Sequence, residues 1–235
     1  MEKVKFIYLD VGDTLIHIKT NPGKIYYDIL KSHNIIQASY DKELLKKYFF
    51  DSWKFMNSKA PLNFQCRYTN HKYGNDGFWK ELIGYFLSFF EKTELTEKVY
   101  LDIVNTFNDP NSWAIDETFF NLKEFSDKKN IQLGIISNWD IRLRSLLKNM
   151  NLLKYFTHIV ISSEFGYEKP SEKIFIEGEK LAQVSPKNLI YVGDKPELDY
   201  FPPRKLGWNT FLISSNNDPD LETLRQLGDL MEKIY

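Results

Sequence analysis

Five short apolar runs constrain the fold more than any other feature of this 235-residue sequence. Polar or turn-forming residues bound each run. Strands that are covered on both faces are continuously apolar rather than alternating, so the runs are typical of a buried parallel sheet. They comprise residues 4–9, 131–136, 158–161, 188–192 and 210–213.

Helical patterns separate the last four runs. The first predicted helix carries Phe119, Leu122 and Phe125 after a cap at Asp116, and a later one opens at Pro170. Strands that alternate with helices predict an α/β fold, here a Rossmann-like doubly wound parallel sheet with right-handed crossovers.

The long stretch between the first two runs breaks this rhythm. Its apolar residues follow helical spacing in four segments, which predicts a small bundle. We therefore expect a sheet core of residues 1–15 and 114–235, with a helical cap domain inserted as residues 16–113. Residues 57–77 within the insertion have no regular period, and they are typical both of a lid and of a mobile loop.

Composition excludes several classes of partner. The 31 Lys and Arg residues nearly balance 32 Asp and Glu residues, so no overall basic field would attract nucleic acid or a membrane surface. No apolar run approaches the roughly 18 residues of a membrane-spanning helix, and no signal peptide is evident. With the single cysteine, these features predict a cytoplasmic protein of undetermined oligomeric state.

Chemically versatile side chains follow four of the five runs. The carboxyl ends of parallel strands meet at one edge of the sheet, where ligands bind. Each such residue taken singly is also an ordinary turn former or helix cap. The residues are Asp10, Gly12, Asp13 and Thr14 after the first run, Ser137 and Asn138 after the second, Glu164 and Lys169 after the third, and Asp194 and Asp199 after the fourth.

In combination these groups suit Mg²⁺ and a phosphoryl group. Asp10 and Asp194 would supply two carboxylates to the cation, with a backbone carbonyl as a third ligand. Lys169 adds a second positive charge, while Ser137 and Asn138 can donate hydrogen bonds to phosphate oxygens. One acid is then left to act as a nucleophile, so the expected partner is a small phosphorylated molecule.

The motifs in chain order resemble those of the haloacid dehalogenase-like hydrolase superfamily. They are LDVGDTL, IISNWD, the pair Lys169 and Pro170, and YVGDKPELD. The resemblance covers nearly the whole chain, including the helical cap after the first motif. The stretches DVGDTL with NPGKIYYDIL, and GDKPELDY with PRKLGW, further resemble the subgroup of haloacid dehalogenase-like hydrolase domain-containing protein 3.

This resemblance implies a catalytic role for several residues. Asp10 matches the aspartate nucleophile that takes the phosphoryl group, and Thr14 matches the hydroxyl that orients it. Ser137 and Asn138 match the phosphate-binding position of the second motif. Lys169 matches the lysine that steadies the charge of nucleophile and phosphate.

The resemblance also implies a magnesium site. Its ligands would be Asp10, the backbone carbonyl of Gly12, Asp194, and Asp199 either directly or through water. The implied activity is a Mg²⁺-dependent phosphatase-like hydrolysis of a small phosphate ester through an aspartyl-phosphate.

Gly12 departs from the family pattern. Superfamily phosphatases usually carry an aspartate there, which protonates the leaving oxygen and then activates water; such groups contribute about 10²–10⁴-fold in rate. Asp13 lies one residue late, and the sequence favours a turn-forming role for it. Slow turnover and a weak or inactive metal- and phosphate-binding regulatory module both stay open.

A haloacid dehalogenase is a third reading of the same motifs. Members that cleave carbon–halogen bonds also lack the second aspartate, since halide leaves without a proton. They typically lack the magnesium aspartate as well, however, whereas this chain retains Asp194. The retained acid favours phosphate over a haloacid.

Overall fold

The computed structural model describes residues 3–60, 63–92, 94–216 and 218–234. Two compact units make up the chain. One, the sheet unit, comprises Met1–His17, Asn63–Cys66 and Ala114–Tyr235, and the other, the helical unit, comprises Ile18–Leu62 and Arg67–Trp113. The division differs from the expected domain boundaries by the position of residues 16–17 and by the four residues 63–66. That the helical unit acts as a cap stays a prediction.

Strands and helices alternate through most of the described chain. The strands are β1 (Phe6–Leu9), β2 (Ile16–Ile18), β3 (Trp113–Ile115), β4 (Gln132–Ser137), β5 (His158–Ile161), β6 (Leu189–Gly193), β7 (Asn209–Ile213) and β8 (Thr223–Leu224). The α-helices are α1 (Pro22–Ser32), α2 (Lys42–Ser58), α3 (Gly74–Ser88), α4 (Glu97–Asn108), α5 (Phe119–Lys129), α6 (Leu143–Asn149), α7 (Ser162–Phe165), α8 (Glu172–Ala182) and α9 (Phe201–Lys205).

The sheet unit is built on a parallel sheet with the strand order β5-β4-β1-β6-β7-β8. Each of the five apolar runs overlaps one of its strands, so the predicted α/β class and parallel sheet are confirmed. The two-residue strand β8 was not predicted, because it does not lie in an apolar run. A separate two-stranded sheet pairs β2 with β3.

The strand register brings three strand ends to one level. Leu9, the last residue of β1, pairs with Ile135 of β4 on one side and with Val192 of β6 on the other. The chain fills the sheet outward from β1 in both directions, so β1 lies where the strand order reverses. Asp10 therefore follows directly at the position where open α/β sheets bind ligands.

Two predicted helix starts were wrong by a few residues. Asp116 does not cap α5; its Oδ1 accepts the N–H of Thr118 in a tight turn, and the helix begins at Phe119. Pro170 does not open α8, because Ser171 is the N-cap and accepts the Lys173 N–H. In both cases a short polar side chain that precedes the helix accepts a nearby backbone N–H.

Aromatic residues pack in the interior of both units. In the sheet unit, Phe175 packs edge-on against Tyr191 and Trp208, with ring centroids 5.1 and 5.9 Å apart. In the helical unit, Tyr26 lies edge-on to the rings of Phe86 and Phe107 at 5.3 and 5.7 Å. Edge-to-face contacts of this kind stabilise a core beyond the area they bury.

Helices α1 to α4 occupy the four segments expected for the helical unit. In the described part of the chain, no helix combines the length and the apolar character that crossing a membrane requires.

The segment 57–77, which the sequence predicted to be irregular, is helical at its two ends in α2 and α3, and its residues 63–66 belong to the sheet unit. The N–H of Cys66 donates to the Gly166 carbonyl at 2.9 Å, and the N–H of Glu168 donates to the Phe64 carbonyl at 2.9 Å. Residues 61 and 62 lie outside the described residues. Residues 63–66 thus form a short pairing next to the loop that carries Lys169, while the lid and mobile-loop readings stay predictions.

Candidate active site

Three carboxylates converge beyond the carboxyl ends of β1 and β6. Each of Asp10, Asp194 and Asp199 offers one oxygen, and these oxygens lie within 4.8 Å of one another. Asp10 and Asp194 directly follow their strands, whereas Asp199 lies in the π-helical turn Pro196–Tyr200. All three come from strand-end positions that the sequence had singled out.

Gly193 explains how Asp199 reaches this cluster. A Cβ on Gly193 would lie 2.3 Å from Asp199 Cγ, a distance that no side chain tolerates. Without that Cβ, Asp199 Oδ2 can accept the backbone N–H groups of Asp194 and Lys195, at 3.2 and 3.0 Å. The glycine is therefore needed for the close approach of Asp199 to the end of β6.

Lys169 joins the cluster from the opposite side of β1. Its Nζ lies 3.0 Å from Asp10 Oδ1, donates to Asp199 Oδ1, and donates to the Tyr191 hydroxyl at 2.9 Å. The side chain is only 2% exposed. Tyr191 in turn donates its hydroxyl hydrogen to the Ile136 carbonyl at 2.7 Å.

The charges of the cluster perturb one another. Burial opposes the charge of Lys169, but Asp10 and Asp199 outweigh it and raise the pKa of the ammonium. Burial raises the pKa of Asp199, with Lys169 opposing the shift. Burial likewise raises the pKa of Tyr191, and the negative charges of Asp199 and Asp10 add to it. Burial thus favours the neutral forms of Asp199 and Tyr191, whereas the two neighbouring carboxylates favour the charged form of Lys169.

Asp194 has the most accessible carboxylate of the three. Burial raises its pKa to about 6, the Lys195 ammonium counteracts part of the shift, and the Asp10 charge adds to it. Lys195 is exposed and pairs with Asp194 Oδ2 at 2.6 Å. Burial and the charges of Asp10 and Asp199 thus disfavour a negative charge on Asp194, and a bound cation would offset this effect.

Asn138 and Ser137 lie at the end of β4. The Asn138 side chain donates from Nδ2 to the Lys169 carbonyl at 2.8 Å and accepts the Lys169 N–H on Oδ1 at 2.7 Å. Its amide therefore clamps the backbone of Lys169 through two hydrogen bonds. Ser137 is the last residue of β4 and is buried. Phosphate binding by either residue stays a prediction.

Thr14 and Asp10 carry polar atoms for which the protein supplies no hydrogen bond. Thr14 is fully buried, and its Oγ1 has no partner among the described residues; the same holds for Asp10 Oδ1, which has only the ionic contact with Lys169. Buried polar atoms are normally satisfied, so each unsatisfied one calls for an explanation. A bound ligand that contacts both atoms would explain why the protein leaves them without hydrogen bonds.

The residues present fit a hard divalent cation. Asp194 Oδ1 is a further buried oxygen without a hydrogen-bond donor in the described part of the chain. Together with Asp10 it provides the carboxylate oxygens that Mg²⁺ prefers. Asp199 fits less directly, because both of its oxygens already accept hydrogen bonds from the protein.

The indole ring of Trp139 lies beside Gly12. A Cβ on Gly12 would have Trp139 Cζ3 at 3.3 Å, the one contact within 4 Å among the described residues apart from its chain neighbours. Asp13 is exposed, has a left-handed backbone with φ of 57°, and donates its N–H to the Ile16 carbonyl. Asp13 therefore shapes the turn after β1, as its position in the sequence suggested.

Sequence reasoning missed the parts played by Tyr191 and Trp139. Tyr191 lies inside an apolar run, where a tyrosine is indistinguishable from any other core aromatic. Trp139 follows Asn138 in the stretch IISNWD, and its adjacency to the predicted site was the only available signal. Neither position could be related to Lys169 or Gly12 without coordinates.

A family model described as haloacid dehalogenase-like hydrolase matches residues 30–213, most of the chain but not the Asp10 loop. The chain is 29% identical to the Drosophila melanogaster rhythmically expressed gene 2 protein, covering 91% of this chain and 84% of that one. It is 24% identical to haloacid dehalogenase-like hydrolase domain-containing protein 3 of Bos taurus, covering 90% and 82%. Over a shorter stretch, 45% of this chain and 44% of that one, it is 30% identical to the glyceraldehyde 3-phosphate phosphatase of Methanopyrus kandleri.

Solved structures share the fold at lower sequence identity. The magnesium-bound HAD-hydrolase YfnB of Bacillus subtilis superposes with a TM-score of 0.76 at 16% identity, covering 99% of each chain. The L-2-haloacid dehalogenase of Xanthobacter autotrophicus superposes with a TM-score of 0.69 at 15% identity, covering 97% of each. Both comparisons show the fold alone, which is therefore common to chains of different chemistry.

Proposed function

Because this chain belongs to the haloacid dehalogenase-like hydrolase family, as its four motifs predicted, we propose that it is a Mg²⁺-dependent hydrolase of a small phosphorylated molecule. The reaction proceeds through an aspartyl-phosphate on Asp10. One observation carries the proposal: the ammonium of Lys169 lies 3.0 Å from Asp10, on the strand edge where the carboxylates of Asp194 and Asp199 also converge.

Asp10, Asp194 and the backbone carbonyl of Gly12 would hold Mg²⁺, with Asp199 contributing through water because its own oxygens are engaged. When bound, the cation supplies positive charge to the phosphoryl oxygens. The family relationship supports this assignment, and YfnB is a relative by fold whose structure is described as bound to magnesium.

The protein's own residues then position the phosphoryl group. Phosphoryl transfer depends almost entirely on alignment and on stabilisation of negative charge. Asp10 attacks the phosphorus in line with the leaving oxygen, and the hydroxyl of Thr14 donates a hydrogen bond that orients the reacting oxygens. One side of the Lys169 ammonium is paired with Asp199, and the other side faces Asp10. From there it stabilises the negative charge of the phosphoryl group.

Two alternatives predict different behaviour. A regulatory module that binds metal and phosphate with little turnover is motivated by Gly12, which carries no acid. A haloacid dehalogenase shares the fold, but the acidic cluster that includes Asp194 is unfavourable for binding a haloacid anion without a metal. The presence of Asp194 therefore favours a phosphorylated substrate over a haloacid.

The test is phosphate release from a panel of small phosphorylated molecules with Mg²⁺, compared with Asp10→Asn. The proposal requires turnover that disappears with Asp10→Asn and on removal of Mg²⁺ by chelation. Mg²⁺-dependent binding without product from any substrate would favour the regulatory module. Release of halide from a haloacid without metal would favour the dehalogenase.

A further inference from the structure

An indole ring, rather than an acid, lies beside Gly12, two residues after the proposed nucleophile Asp10. Trp139 Cζ3 lies 3.3 Å from the position of a Cβ on Gly12, which is tighter than most real contacts of a Cβ. A side chain at position 12 would therefore require the indole ring to shift slightly. The glycine supplies no acid at this point of the Asp10 loop, and the neighbouring Trp139 side chain supplies none either.

The backbone that carries Trp139 is held firmly. Its N–H donates to Ser162 Oγ at 3.1 Å, and its carbonyl accepts from Ser162 Oγ at 3.1 Å and from the Ser163 N–H at 3.3 Å. Ser162 is fully buried at the end of β5. These hydrogen bonds fix the start of the indole side chain relative to the sheet.

The other titratable groups of the cluster are poor proton donors to a leaving group. Asp194 and Asp199 are turned toward the proposed cation site or are engaged by the backbone. The ammonium of Lys169 already faces Asp10, Asp199 and the Tyr191 hydroxyl, so each of its three hydrogens has a partner within the protein. Asp13 is exposed, and its N–H closes the turn to Ile16.

A leaving oxygen that receives no proton must depart as an anion. In the first step a bond forms between an Asp10 oxygen and phosphorus, the bond from phosphorus to the leaving oxygen breaks, and its electron pair stays on that oxygen. In the second step water attacks phosphorus, the Asp10 carboxylate is regenerated, and phosphate leaves with the protons of water. The first step is slow whenever the leaving anion is strongly basic, because general acid catalysis then matters most.

Resting on the proposed function, we propose that the Gly12–Trp139 pair restricts this site to phosphorylated molecules whose leaving group is a stable anion. Acyl phosphates and aryl phosphates meet this condition. Alkyl phosphate esters do not, because an alkoxide is strongly basic. The selectivity arises from the chemistry of the leaving oxygen and not from its shape.

The experiment measures kcat/KM for acetyl phosphate, 4-nitrophenyl phosphate, phenyl phosphate and glycerol 3-phosphate with the full chain and Mg²⁺. We expect acetyl phosphate and 4-nitrophenyl phosphate to exceed glycerol 3-phosphate by about 10²-fold or more, the range that a general acid normally supplies. Phenyl phosphate should fall between them.

A pair of double variants tests the assignment to residues 12 and 139. Gly12→Asp/Trp139→Ala and Gly12→Ala/Trp139→Ala open the same space, but only the first adds a carboxylate. The first should raise the rate with glycerol 3-phosphate relative to 4-nitrophenyl phosphate by tenfold or more, and the second should keep the wild-type selectivity. Thermal unfolding and Mg²⁺ binding show whether each variant is folded.

The failures are distinguishable. Asp10-dependent turnover of glycerol 3-phosphate at a rate within about tenfold of 4-nitrophenyl phosphate would overturn this inference and leave the proposed function intact. Absence of turnover and of phosphate on Asp10 with all four substrates would overturn the proposed function, and the inference with it. Equal selectivity of the two double variants would overturn the role of position 12.

Discussion

The ammonium of Lys169 lies between two carboxylates, 3.0 Å from Asp10 Oδ1 on one side and hydrogen-bonded to Asp199 Oδ1 on the other. Asp199 is buried together with it, and the peptide of Lys169 is held by the side chain of Asn138. An ion pair removed from water persists only where both partners are well compensated. The arrangement therefore makes the stability of the sheet unit depend on the same residues as its chemistry.

Replacing Lys169 by methionine should destabilise the protein strongly. The variant leaves Asp199 buried without its cation, and loss of one partner of a buried pair costs about 3–5 kcal/mol. The free energy of unfolding in urea measures the loss. Lys180→Met is the matched control, because Lys180 is exposed and pairs only loosely with Glu177 at 3.5 Å.

The double variant Lys169→Met/Asp199→Asn separates charge from packing. If the unpaired carboxylate causes the loss, the double variant should be more stable than Lys169→Met alone. A double variant that is less stable than Lys169→Met, or a Lys169→Met protein as stable as the Lys180→Met control, would contradict the interpretation.

Tyr191→Phe should weaken the protein through one hydroxyl group. That hydroxyl donates to the Ile136 carbonyl and accepts from Lys169, and both partners are buried, so about 1–3 kcal/mol of unfolding free energy should be lost. Turnover should fall through kcat rather than KM, because Lys169 loses part of its positioning. Tyr73→Phe, at a residue that is 71% exposed, should change neither quantity; equal effects of the two variants would refute the positioning role.

The strand ends could be predicted from sequence because burial on both faces leaves continuous apolar runs. Asp10 directly follows one of these runs and Asp194 lies two residues after another, so their meeting required only a parallel sheet. The side-chain partners were beyond this reasoning. Asn138 was expected to face phosphate, and nothing in its neighbourhood along the chain indicated that its amide would bind the peptide of Lys169, 31 residues away.

Trp139 illustrates the same limit from the opposite direction. The sequence revealed that position 12 carries no acid, but it did not reveal that an aromatic ring lies beside this glycine. Such a contact joins two strand ends and depends on the register between β1 and β4. Periodicity locates the elements, whereas a contact of this kind depends on packing that no periodic pattern records.

Gly193→Ala should disturb both stability and metal binding. The added methyl group would overlap Asp199 Cγ, so Asp199 must move away from the backbone N–H groups it now satisfies. Overpacking of this kind typically costs about 1–3 kcal/mol. We expect a lower midpoint of thermal unfolding and a smaller stabilisation by Mg²⁺.

Gly84→Ala is the matched control for Gly193→Ala. Gly84 lies within α3, and a Cβ there meets nothing within 4 Å in the described structure. Alanine favours a helix interior over glycine by up to about 1 kcal/mol, so this variant should be slightly more stable than the wild type. Similar destabilisation by both substitutions would show that the contact with Asp199 is not responsible.

Asp194 should make the metal-free protein less stable as the pH rises. Burial raises its pKa from 3.8 to about 6 in the folded state, so the folded protein holds the proton more tightly than the unfolded chain. The stabilisation that the protonated Asp194 carboxyl gives the folded state is fully present below pH 3.8, and it is lost as the pH rises from 3.8 to about 6. The full shift corresponds to up to about 3 kcal/mol.

Asp194→Asn removes this dependence while keeping the size of the side chain. Without metal, the substitution should increase the free energy of unfolding more at pH 7.5 than at pH 4. At the higher pH only the wild type carries the buried negative charge. Asp220→Asn, at an exposed residue, should give the same difference at both pH values. Mg²⁺ should then raise the unfolding midpoint of the wild type at pH 7.5 but not that of Asp194→Asn, since the cation requires the carboxylate. If the difference in stability between Asp194→Asn and the wild type does not vary with pH, the pKa of Asp194 is not raised in the folded protein. If Mg²⁺ stabilises both proteins equally, Asp194 is not a ligand of the cation.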